Sequence, residues 1–218
     1  MAALASSEAL SSAIVGAGNT TEVLYLVARH YIDQFLDLLR TAVKTDELLS
    51  HASKLSSGST IGKHARHLAD HYRLLLDGVA RATPSRAAST PGAPPPPPIH
   101  VNYDQRTRNL AAETSHAACL EAFTQLREQL EKVTGEGKGI EPERVVRLHA
   151  TTPIEVEVGS SFARELWFAS FHAVHHFALI RVIAAGELGL EVPANFGVAP
   201  STLVHRQQQG EDSATLKL

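Results

Sequence analysis

Residues 160–186 read SSFARELWFASFHAVHHFALIRVIAAG. Ser160 or Ser161 can N-cap a helix that is then apolar on nearly every face, and a helix apolar all round is a central one. The rest of the chain arranges itself around that reading. Leu24, Val27, Ala28, Tyr31, Phe35, Leu38 and Leu39 recur at helical spacing and give a first helix one apolar face. Ile61, Ala65, Leu68, Tyr72, Leu75 and Val79 do the same for a second helix over 61–82, with Ser59 or Thr60 as its N-cap. Leu120, Phe123, Leu126 and Leu130 mark a third over 113–133. RVVRLHA (144–150) and PIEVEVG (153–159) alternate across a TTP turn and predict a small hairpin before the last helix. The expected fold is all-α: a four-helix bundle with that hairpin as its one β element.

Composition bounds the function. The 218 residues are 44% hydrophobic, enough for one core, and carry a net charge of -3. A general nucleic-acid binder would carry a positive excess, so no nucleic-acid partner is expected. The single Cys119 excludes an intramolecular disulfide or a CxxC pair and fits a reducing compartment, so a cytoplasmic location is expected. No uninterrupted apolar run is long enough to predict a membrane span. Residues 1–19 lack the basic start of a secretory signal and read as a flexible leader. Residues 20–205 read as a single domain and 206–218 as a flexible tail. Within the domain, PSRAASTPGAPPPPP (84–98) is a proline-rich loop, because proline fixes φ and removes the N–H that a helix needs. PANFGVAPSTL (193–203) reads as an extended segment laid over the helices.

Six of the 12 histidines fall in two short spans: His64, His67 and His71 in IGKHARHLADHY, and His172, His175 and His176 in FHAVHHFALI. Both spans lie in predicted helices. His172 and His176 are one turn apart on one face, where two imidazoles can share a cation. A third ligand from the second helix would complete a three-His site with an open position. His175 is turned away and reads as a packing residue. By the periodicity of the second helix, His64 and His71 lie nearer its apolar stripe than His67 does. Periodicity leaves His64, His67 and His71 all open as that third ligand. Imidazole ligands suit zinc, iron, nickel and copper, and spacing does not choose among them. Ala173 stands where a metalloprotease HExxH has its glutamate, which excludes that class. Glu165 reads as a partner for Arg164, and Asp70 as either a histidine partner or half of an ion pair. Tyr103, Arg106 and Arg108 either contact an anionic substrate or pin their loop. His30, His51, His100, His116, His149 and His205 read as solvated or capping.

STIGKHARHLAD (59–70) and FHAVHHFAL (171–179) resemble the two histidine motifs of the DinB-like superfamily, and the resemblance spans roughly residues 20–205. It implies a four-helix bundle with a divalent metal on His67, His172 and His176. Members of that superfamily include bacillithiol S-transferases, a mycothiol-dependent maleylpyruvate isomerase and a part of iron-dependent sulfoxide synthases. The resemblance therefore implies metal-dependent chemistry on a small molecule, such as thiol S-transfer or thiol-dependent isomerisation with a low-molecular-weight thiol. A non-enzymatic metal-binding or stress-associated scaffold is the alternative. Surplus apolar surface on the first and last helices also predicts a homodimer.

Overall fold

Thr60 opens the helix that carries the first histidine group. Its hydroxyl accepts the Lys63 N–H at 3.0 Å. The computed structural model describes residues 19–82, 95–105, 107–108, 110–134 and 139–208. Residues 1–18 of the expected leader, residues 84–94 of the expected proline-rich loop, Arg106 and the tail beyond 208 lie outside the described residues.

In chain order the elements are α1 (Thr20–Thr41), α2 (Asp46–Ser50), α3 (Ile61–Ala82), β1 (Ile99–Val101), α4 (His116–Thr134), β2 (Val145–Ala150), β3 (Val156–Ser161), α5 (Phe162–Arg181) and α6 (Pro200–Gln208). A 3₁₀ turn (Ala111–Glu113) precedes α4, and a π-helical turn (Val182–Glu187) extends α5. α1 packs on α4 and α5, and α3 packs on the same two helices.

The described residues thus hold six α-helices and a three-stranded mixed sheet, which corrects the expected all-α four-helix bundle. Each addition has a local cause. β1 is only three residues long and follows directly on a proline run, too short to show alternation. It pairs in parallel with β2, Ile99 opposite Val146 and Val101 opposite Leu148. α2 is little more than one turn, held by Thr45 accepting the Leu48 N–H. α6 begins at Pro200, whose fixed φ suits a first helical position, so PSTL is helical rather than extended. β2 and β3 pair antiparallel, Val145 opposite Ser161 and Ala150 opposite Val156.

The core runs through aromatic contacts between α1, α4 and α5. Phe35 lies 4.4 Å from Phe123 and 6.0 Å from Phe177, centroid to centroid. Phe196, ahead of α6, stacks on Phe177 at 4.4 Å. Gly197 follows with φ +72°, and a Cβ there would lie 2.6 Å from the Phe177 carbonyl carbon. Only glycine lets the C-terminal segment press so closely on α5. Phe162–Glu187 is long and apolar enough to cross a membrane by length and composition, yet half of its most apolar window is buried inside the structure. Core helices pass the same test.

Candidate functional site

α3 and α5 meet face to face, and a buried hydrogen bond fixes their approach. Tyr72 Oη donates to Ser170 Oγ at 3.2 Å, with both side chains fully enclosed. The periodicity of the two helices then turns their histidines into one another. His64 and His71 of α3 and His176 of α5 are buried, His67 and His172 are partly buried, and His175 faces outward.

His67, His172 and His176 each offer one ring nitrogen, all within 4.8 Å of one another. The Nε2 atoms of His172 and His67 are 3.2 Å apart, and those of His176 and His172 are 3.0 Å apart. Two metal–nitrogen bonds of about 2.05 Å at a tetrahedral angle would separate their nitrogens by about 3.3 Å. The spacing therefore suits a shared cation. Burial pushes the His176 ring down from 6.5 to about 2, helped by the neighbouring rings of His172, His67, His64 and His175. It is neutral at physiological pH, the form that can offer a lone pair.

The structure brings His64 and His71 to the same place in other roles. His64 Nδ1 lies 2.9 Å from His176 Nδ1, and its Nε2 lies 2.8 Å from Ser59 Oγ. A contact on the far nitrogen of a ring fixes which nitrogen faces the centre. Neither motif spacing nor helical periodicity reveals this pairing, because it depends on how closely α3 and α5 approach. His71 Nδ1 donates to the His67 carbonyl at 2.9 Å, and its ring packs 4.4 Å from that of His172. On the other side, the Tyr103 ring stacks on His71 at 4.8 Å.

Tyr103 Oη donates to Glu165 at 3.0 Å. Glu165 is wholly buried and also takes hydrogen bonds from Ser160 and Arg164. Burial, then the Glu165 charge, raises the Tyr103 hydroxyl far above its usual range. Tyr103 thus anchors its loop to α5. Of the two arginines grouped with it, Arg108 is exposed and Arg106 lies outside the described residues. Asp70 pairs with Arg66 and Arg73, at 3.3 and 3.1 Å.

The histidines read as isolated are not all so. His51 meets Glu187, and His116 Nε2 lies 2.9 Å from the Leu39 carbonyl. His100 and His149 meet each other across β1 and β2. A sequence reading without β1 has no means of pairing them.

No family model and no solved structure matches the chain. A stretch of 113 residues is 40% identical to FK506-binding protein 5 of Rhizopus delemar. The match covers 50% of this chain and 28% of the relative, so the chain spans little more than a quarter of that relative's length. This finding overturns the DinB-like expectation. With it go the thiol-transferase and thiol-dependent isomerase readings and the metal-binding stress-scaffold alternative. The resemblance rested on two short motifs, and any helix pair with histidines one turn apart can present them. A cation at the three rings now stands on geometry alone.

Proposed function

We propose that His67, His172 and His176 together hold one divalent transition-metal ion, with zinc, nickel or iron as the candidates. We further propose that the matched half of the chain works within a protein of the FK506-binding kind. The observation that carries the first proposal is the convergence of three ring nitrogens from two helices within 4.8 Å. An Nε2 separation of 3.0 Å and a buried, neutral His176 support it. The test is elemental analysis of protein purified without a histidine tag. Wild type and His30→Ala should carry one ion per chain. His172→Ala and His176→Ala should carry none, because a three-ligand site cannot spare a ligand. Full occupancy in His172→Ala would overturn the assignment.

A second reading rests on the 40% identity with the Rhizopus delemar protein. The matched half would bind FK506, as that relative's name says of it. Trp167 is the single tryptophan and is 51% exposed, so its fluorescence can follow a titration with FK506. Saturable quenching that survives His172→Ala would favour this reading and separate it from the cation site. No response at any concentration would remove it.

A further inference from the structure

Between α3, the 3₁₀ turn and α4 lies a cavity of about 160 Å³ that shares no residue with the histidine site. It exists because small side chains stand where these elements face one another. α3 brings Ala69 to it, the turn brings Ala112, and α4 brings Cys119 and Ala122. None of the four is large enough to fill the space between the helices. Phe123 and Leu126 of α4 add larger apolar surface, and both are buried. Burial pushes the Cys119 thiol up to about 12, so it stays neutral and lines the space as a small apolar group.

The polar groups at the cavity are two arginines, an aspartate and two glutamines. Both arginines are already paired. Arg66 donates to Glu113 and Asp70, and Arg73 donates to Asp70 and Asp77. The glutamines are held differently. Gln125 Nε2 donates to Glu121 at 2.7 Å, and Gln129 Nε2 donates to Asp77 at 2.9 Å. Only the amide nitrogen can donate to a carboxylate, so these bonds fix which way each amide is turned. Each Oε1 is left as an acceptor with no partner among the described residues.

We infer that this cavity binds a small neutral aromatic ring carrying a hydrogen-bond donor, a molecule of the phenol class. The site is independent of the proposed cation and of the FK506 reading. Size sets the body of the ligand, since an apolar cavity of about 150 Å³ stays dry and takes benzene. Charge sets its neutrality. The two guanidiniums already face carboxylates, and an anion would have to be desolvated beside those acids without a cation of its own. The unused amide oxygens set its polar edge, because a ring hydroxyl supplies the donor that they lack.

The test is calorimetric titration of the full chain with phenol, benzene and benzoate, with saturation-transfer NMR to show contact with the ring. Wild type should bind one phenol saturably, bind benzene more weakly and leave benzoate unbound over the same range. Ala69→Leu and Ala122→Leu grow into the cavity from facing helices, and each should abolish binding of both phenol and benzene. Circular dichroism checks that each variant folds. The double variant Gln125→Leu, Gln129→Leu alters no core position and should weaken phenol about fivefold while leaving benzene unchanged. Absence of saturable phenol binding by wild type would overturn the proposal. So would phenol binding retained in a folded leucine variant at Ala69 or Ala122, or benzoate bound as tightly as phenol.

Discussion

Gly62 marks how closely α3 passes the turn ahead of α4. A Cβ built there would lie 2.0 Å from the Glu113 carbonyl oxygen, a backbone atom that cannot swing aside. Gly62→Ala should therefore destabilise by about 1–3 kcal/mol, read as a lower urea midpoint. The same variant at Gly186, where a Cβ meets nothing within 4 Å, should cost less and serves as the control. At this scale the sequence is a partial guide. The one-turn spacing of His172 and His176 is legible because both residues sit on one helix. The His64–His176 contact at 2.9 Å is not, since it joins residues 112 positions apart. Glu165 could be read as an Arg164 partner from its neighbour alone, but its hydrogen bonds with Tyr103 and Ser160 needed the loop and strand in place.

Among elements, the π-helical end of α5 does more than its sequence suggests. Glu187 accepts hydrogen bonds from Ser53 Oγ and from the backbone N–H groups of Lys54 and Leu55, and it lies 3.2 Å from His51 Nε2. These contacts tie the segment ahead of α3 to the end of α5. The Ser53 hydroxyl is the largest influence holding the carboxyl down from 4.5 to about 2. The folded state thus prefers the ionised form. Its contribution is complete above about pH 4.5 and is lost as pH falls toward 2. Glu187→Gln should flatten the fall of the urea midpoint across that window, and an unchanged profile would show the clamp to be inert. The long helices were legible because an apolar stripe repeated over several turns is a strong signal. β1, α2 and α6 were not, since three, five and nine residues with few apolar positions give periodicity little to act on.

For the molecule as a whole, the proposed cation between α3 and α5 would be linked to unfolding. Metal at a hundredfold excess over its dissociation constant should add about 2.7 kcal/mol to stability if the unfolded chain does not bind it. The melting temperature of wild type should rise accordingly, and that of His172→Ala should not. The sheet carries a separate lesson about the order in which the chain assembles. β2 and β3 are near neighbours in sequence and can zip together early. β1 must wait, because its parallel partner arrives only after α4 has crossed back. Contacts of that separation close slowly. Until they close, the β2 edge at Val146–Leu148 presents unpaired backbone amides next to apolar side chains, a template onto which another chain can add. Three residues, Ile99–Val101, cover that edge once the parallel pairing closes, and the time that closure takes sets how long the edge stands open to another chain.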